Sequence, residues 1–290
     1  MSIDTVLESI GASFGPIDPD SVRAVGGGSI NRCYELTCRD GRRAFLKLNE
    51  ASALDMFEAE SAGLVELAAA GALRVPAPLA TGVSETAAYL LMEHLEFGGK
   101  TGQAAAELGT RLARQHRQLG NAFGWHRDNT IGSTPQINGV AADWLEFWRE
   151  ARLGYQLRLA RANGLGARVV RRGEELLDRL PAFFDDYDPE PSLLHGDLWG
   201  GNWGATVDGE PVIFDPAVYY GDRETDIAMT MLFGGFGTEF LDAYEQAWSL
   251  HPGFRRRADL YNLYHVLNHF NLFGGGYQQQ AAALLDRLLH

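Results

Sequence analysis

Cysteine is scarce. The chain of 290 residues holds two, Cys33 and Cys38. That excludes a disulfide scaffold and leaves too few thiolates for a complete metal site. On one strand, their odd spacing would turn the two thiols to opposite faces. Long apolar runs are lacking too, and none reaches the roughly 20 residues that a membrane-spanning helix needs. The stretch MSIDTVLESIGASFG has neither a basic leader nor a long apolar core. No signal peptide is therefore expected, and a cytoplasmic protein is. Basic charge is in deficit, with 25 Lys and Arg against 38 Asp and Glu, a formal net charge of -13. A dispersed nucleic-acid surface is thereby disfavoured. No nucleic-acid, membrane or obligate protein partner is expected, although a local field can still hold an anionic substrate. There is no internal repeat and no low-complexity linker. What is present is a 46% apolar content, enough for a sizeable core in one large domain or two lobes.

Periodicity and turn residues divide the chain into two parts. Residues Ile3 to Ile10 read as a short helix, broken by GPIDPD. Strands are expected at Ser21 to Val25, Cys33 to Thr37 and Ala44 to Leu48, with Asp40-Gly41 as a hairpin corner. Residues Ala51 to Ala70 have helical periodicity, and Val83 to Thr86 and Ala88 to Met92 add two strands. From Gln103 onward helices dominate, at Gln103 to Leu119, Ala141 to Ala160 and Arg168 to Leu180. Further helices follow at Asp226 to Ser249, Arg256 to Phe270 and Gln278 to Leu289, the first of them open to interruption by GGFG. The fold class expected is α+β: a small N-terminal antiparallel sheet with one long helix, then a larger, mainly helical C-terminal lobe. A hinge near Glu93 to Gly99 sets the domains at 1-93 and 94-290.

The first part carries three features with chemical content. GGGSIN, from Gly26 through Gly27, Gly28 and Ser29 to Asn31, lies between two expected strands. Glycines there let the backbone approach phosphate oxygens, or simply make a flexible turn. In AFLKL, Phe45 and Lys47 share one strand face while Leu46 and Leu48 share the other. A lysine so placed needs solvent or a partner. Glu60, on the helical stripe of Phe57, Leu64 and Leu67, is the candidate. A Lys47–Glu60 pair would aim the ammonium at phosphates; two snorkelling side chains at an edge are the alternative.

The second part carries LLHGDLWGGNWG, Leu193 to Gly204. Asp197 and Asn202 stand five positions apart on this glycine-containing loop, which can turn both toward one centre. Asp197 can accept or align the proton of an attacking hydroxyl, and Asn202 can offer a neutral oxygen to a divalent ion. PVIFDP then reads as an apolar strand ending in Asp215, a carboxylate suited to Mg2+. His195 either binds zinc, for which no third ligand is apparent, or braces the loop. Trp203 reads as core. Trp199, between the two polar residues, fits a substrate contact as well as packing. Asp222 either touches substrate or, with Glu224 and Asp226, begins a helix. Asp226 can also brace the loop. A hydrolase built on His195 and Asp197, or a nucleotide-binding regulatory module, stays open on spacing alone.

The order glycine-rich hairpin, strand lysine, helix glutamate, hinge, HGD loop and strand-end aspartate resembles a protein-kinase-like phosphotransferase. GGGSIN, FLKLN, MFEAESAGLVELA, LLMEHLE, TPQINGVAADWLEFWREARL, VIFDPAVYYGDRETDIAMTMLFGGF and LYHVLNHFNLFGGGY extend the likeness over nearly the whole chain. With them the sequence resembles the fructosamine kinase and ketosamine-3-kinase family, near aminoglycoside and choline phosphotransferases. The resemblance implies a bilobal kinase-like fold, ATP and Mg2+, and phosphorylation of a ketosamine, free or protein-bound, at its 3-hydroxyl. It implies Asp197 as catalytic aspartate, Asn202 and Asp215 as magnesium ligands, and Lys47 with Glu60 as the phosphate-contacting pair. Glu93 and Leu95 match hinge positions whose backbone meets adenine. Another acceptor, such as an aminoglycoside, amino sugar or simple sugar, remains the alternative. Two departures stand out. Some relatives carry cysteine where this chain has Ser29, and many carry histidine where it has Asp222.

Overall fold

A computed structural model describes residues 3–26, 30–85 and 87–290. After helix α1 (Asp4–Phe14) come strands β1 (Arg23–Val25), β2 (Arg32–Thr37) and β3 (Arg43–Glu50), helix α2 (Leu54–Ala69), and strands β4 (Pro78–Ser84) and β5 (Ala87–Glu93). The five strands form one antiparallel sheet in the order β1-β2-β3-β5-β4. The alternation within β3 assigns its two faces. Leu46 and Leu48 join Val6 and Ile10 of α1 in one core. On the other face, Leu90 and Met92 of β5 pack with Phe57, Leu64 and Leu67 of α2. Each such side chain contributes about 1.5–3 kcal/mol by leaving water. Lys47 projects on the α2 side, which is what brings it to Glu60.

The second part begins with α3 (Gly102–His116), the short hairpin β6 (Asn129–Ile131) and β7 (Thr134–Gln136), and α4 (Trp144–Phe147). A π-helical segment, Trp148–Leu153, joins α4 to α5 (Gly154–Ala162), and α6 (Ala167–Arg179) follows. Strands β8 (Ser192–Leu194), β9 (Trp203–Ala205), β10 (Pro211–Ile213) and β11 (Tyr219–Gly221) pair as β8 with β11 and β9 with β10. Helices α7 (Glu224–Leu232), α8 (Thr238–Ala247), α9 (Phe254–Phe273) and α10 (Tyr277–Leu289) complete the chain. Leu260, Tyr261, Leu263, Tyr264, Val266 and Leu267 are buried around the circumference of α9, as befits a helix at the centre of a bundle. Gly109 lets α3 approach α8: a Cβ there would lie 2.2 Å from the Phe240 carbonyl.

Several boundaries differ from expectation. The expected Ala51 to Ala70 helix starts with a 3-10 turn, and the strand expected at Val83 to Thr86 begins at Pro78. The helix expected over Asp226 to Ser249 is two helices, because GGFG breaks it with Gly234 and Gly235 in the left-handed region. The segment after β5 ties the two parts together. Gly98 N–H donates to the Ala205 carbonyl at 2.8 Å, and Val207 N–H to that of Glu96 at 3.1 Å. Among the described residues, no helix is long and apolar enough to cross a membrane.

Candidate active site

A cleft of about 690 Å³ lies between the sheet side and the helical side, lined by Lys47, Glu60, Asp197, Trp199, Asn202 and Asp215 among others. Three of these residues meet directly. The Lys47 ammonium sits 2.5 Å from a Glu60 carboxylate oxygen and 2.5 Å from Asp215 Oδ1. Burial alone would discharge the lysine, but Asp215 and Glu60 hold it charged, above its ordinary range. One cation between two carboxylates leaves an excess of negative charge, and Asp197 adds to it.

The loop bearing Asp197 is built around a histidine and a buried aspartate. His195 Nε2–H donates to the Phe214 carbonyl at 3.0 Å, and its Nδ1 accepts from Asp197 N–H at 3.3 Å. A carbonyl only accepts and an N–H only donates, so this is the neutral Nε2–H tautomer. Burial, which lowers the His195 pKa, favours the same form. Both ring nitrogens are thus occupied by protein. The zinc reading and the hydrolase reading of His195 fail, because no lone pair remains for a metal or a water. Asp226, at the start of α7, accepts His195 N–H at 2.8 Å and Gly196 N–H at 2.9 Å, and also bonds His116 Nε2 at 3.1 Å. Burial opposes its charge, yet these donors hold its pKa below the usual carboxylate range. Gly196 has φ +84°, and a Cβ there would lie 2.0 Å from the Ala217 carbonyl. Glycine is required at that position.

Asp215 is held beside this loop. It has φ +58° without being glycine, which costs it about 1–2 kcal/mol. The segment is pinned on both sides of it: Phe214 N–H donates to the Asn202 carbonyl at 3.0 Å, and Ala217 N–H to that of His195 at 2.8 Å. Asn202 Nδ2 donates to the Asp197 carbonyl at 2.9 Å and to Asp197 Oδ2 at 3.2 Å. The amide nitrogen is therefore committed, and Oδ1 is the atom left to accept or coordinate. An all-oxygen donor set of Asn202 Oδ1 and the half-exposed Asp215 carboxylate, in a cleft with excess negative charge, fits a hard divalent cation. Desolvation and repulsion from Asp215 and Asp226 raise the Asp197 pKa to about 7.

The remaining expected residues divide. Gly26 is exposed and a Cβ there would meet nothing within 4 Å, whereas Gly27, Gly28 and Ser29 lie outside the described residues. Glu93 ends β5; its N–H donates to the Ala77 carbonyl at 2.8 Å and its side chain pairs with Arg74. Glu93 and half-buried Leu95 flank the connection between the two parts and do not line this cleft. Trp199 does line it and is 40% exposed. Asp222 is a correction: it is fully buried and away from the cleft. Its carboxylate accepts Tyr187 O–H at 2.8 Å, Tyr261 O–H, and Glu224 N–H at 2.9 Å, so it caps α7 from inside the core. A substrate contact by Asp222 is not available in this arrangement. Sequence reasoning missed His116, Asn129, Phe233, His269, Phe273 and Tyr277, the last five of which line the cleft. The spacing of His269, Phe273 and Tyr277, four residues apart, was a visible signal that reads equally as helix core.

Comparison with known proteins follows the same line. Residues 3–290 match the fructosamine kinase family. A Synechocystis sp. protein described as a probable ketoamine kinase is 47% identical over 98% of this chain and 96% of its own. The chloroplastic protein-ribulosamine 3-kinase of Arabidopsis thaliana is 41% identical over 100% of this chain and 89% of its own. A crystal structure of a Thermobifida fusca protein, provisionally assigned as a fructosamine-3-kinase, superposes with a TM-score of 0.88 at 30% identity, covering 99% of each chain.

Proposed function

From the premise that the chain belongs to the fructosamine kinase family and is an ATP-dependent small-molecule kinase, we propose that it phosphorylates the 3-hydroxyl of a ketosamine, a fructosamine or ribulosamine. The observation that carries the reading is the convergence of Lys47, Glu60, Asp197, Asn202 and Asp215 on one cleft. With lobes at 1–93 and 94–290, ATP would bind between them. Gly26 to Ser29 would cover its phosphates, and backbone groups of Glu93 and Leu95 would meet its adenine.

Asn202 Oδ1 and Asp215 would hold Mg2+, which supplies neutralisation of phosphate charge when bound. Lys47, oriented by Glu60, holds phosphate oxygens and stabilises charge that develops on them. Asp197 faces the acceptor hydroxyl, aligns it for in-line attack and takes its proton. The brace from Asp226 through Gly196 keeps that carboxylate in register with Asp215. Direct transfer of this kind forms no phosphoenzyme, so a phosphoryl group trapped on the protein would count against it.

The family's relatives are named for ketoamine and ribulosamine acceptors, which supports a ketosamine here. An acceptor panel tests it: 1-deoxy-1-morpholinofructose, fructosyl-lysine, ribosyl-lysine, aminoglycosides, choline and free hexoses. Acceptor-dependent ADP formation with the ketosamines is expected. No ketosamine turnover beside rapid turnover of another acceptor overturns the reading.

A further inference from the structure

The cleft has a second wall that the phosphoryl-transfer residues do not use. Phe233 follows α7, His269 and Phe273 stand on the last turns of α9, and Tyr277 opens α10. Their rings form a continuous run: Phe233 to His269 at 4.8 Å, His269 to Tyr277 at 5.1 Å and His269 to Phe273 at 5.7 Å. Trp199 meets Phe233 edge-on at 6.4 Å. All five line the cleft. Phe273 is nonetheless 55% exposed and Phe233 39% exposed. Large aromatic area left in water beside a reaction centre marks a surface with an occupant.

Charge narrows the occupant. The carboxylates among the described lining residues are Glu60, Asp197 and Asp215. Lys47 engages two of them, and Asp197 faces the acceptor hydroxyl. None of the three lies on the elements that carry the aromatic wall, and their excess negative charge is what Mg2+ would meet. His269 adds no cation: its Nδ1–H donates to the His265 carbonyl at 2.8 Å, and burial lowers its pKa so that the ring is neutral. A ketosamine carries one amine next to its sugar, and a lysine-borne one continues into an aliphatic stem. Aromatic faces attract an alkylammonium through the ring quadrupole and cover its methylenes. A polycationic acceptor needs carboxylates that this wall lacks.

We propose that Phe233, Phe273 and Tyr277 form the recognition surface for the amine-bearing half of the acceptor, selecting a single alkylammonium with an aliphatic stem by ring faces. The inference rests on the ketosamine reading above. The probes are 1-deoxy-1-butylaminofructose and its uncharged isostere, the 1-O-butyl ether of fructose, whose affinity is read by competition. Phe233→Leu and, separately, Phe273→Leu keep apolar volume at exposed positions, and thermal melts check that both fold. Each raises KM for the amine about 2- to 30-fold, the range of one cation–π contact, with kcat, ATP KM and ether affinity within about 2-fold. Phe233→Tyr keeps a ring and stays near the unaltered enzyme. Equal weakening of amine and ether, or no change in either, overturns the wall while leaving the ketosamine reading intact. Failure of the unaltered enzyme to turn over the amine defeats that reading, and this proposal with it.

Discussion

Replacing Asp226 by asparagine probes the brace behind the catalytic loop. The carboxylate accepts from His195 N–H, Gly196 N–H and His116 Nε2–H at 2.8, 2.9 and 3.1 Å, with its side chain 1% exposed. Asparagine has the same outline but keeps one oxygen and places an NH2 where the other stood. One backbone N–H of the loop then faces a donor. The lost bond to a charged acceptor is worth about 1.5–3 kcal/mol, and the stranded buried donor about 1–3 kcal/mol. The two effects overlap, so Asp226→Asn should destabilise the fold by about 3 kcal/mol. For a chain of this size that lowers Tm by about 6–12 °C. Because Gly196 immediately precedes Asp197, kcat should fall as well, with ATP affinity changing less. Calorimetric melting and steady-state kinetics on the same preparation read both effects. A Tm within about 1 °C of the unaltered protein, with kcat unchanged, would refute the brace.

Three substitutions separate the proposed roles in the cleft. Asp197→Ala should keep most ATP binding by titration calorimetry while lowering kcat about 10²- to 10⁴-fold; equal loss of both would make the residue structural. Lys47→Met removes the cation that stands 2.5 Å from both Glu60 and Asp215. We expect a higher ATP KM and a kcat about 10²- to 10³-fold lower, and an unchanged ATP KM would contradict a phosphate contact. Asp215→Ala should shift half-saturating Mg2+ upward in a metal titration, and an unaltered magnesium dependence would remove it from the ligand set.

How much was legible in the sequence follows from the range of each interaction. The face of Lys47 and the stripe of Glu60 are local, set by strand and helix period, and the two side chains do meet. The loop from His195 to Asn202 compresses its polar groups into eight residues, so its convergence could be read from composition and spacing. The link from Lys47 to Asp215 spans 168 positions, and that from His116 to Asp226 spans 110; no periodicity encodes either. Strands β6 and β7 have three residues each, too few for alternation to declare itself. The wall of Phe233, His269, Phe273 and Tyr277 looks like helix core in sequence: GGFG marks the break beside Phe233, but that the ring then lines a cleft with residues of α9 and α10 is set by packing. Asp222 stayed open between a substrate contact and a helix start, and the structure decides for the helix start. An acidic residue beside a functional motif suggests substrate, and only packing shows that Tyr187 and Tyr261 already satisfy it.

The most direct test of the proposed reaction is the position of the transferred phosphate. The enzyme is given Mg-ATP and 1-deoxy-1-morpholinofructose, and the product is examined by phosphorus and carbon NMR. One phosphate per ADP, coupled to C3 of the sugar, is the predicted result. Release of inorganic phosphate, or a phosphate attached to the oxygen of any other carbon, would contradict transfer to the ketosamine 3-hydroxyl.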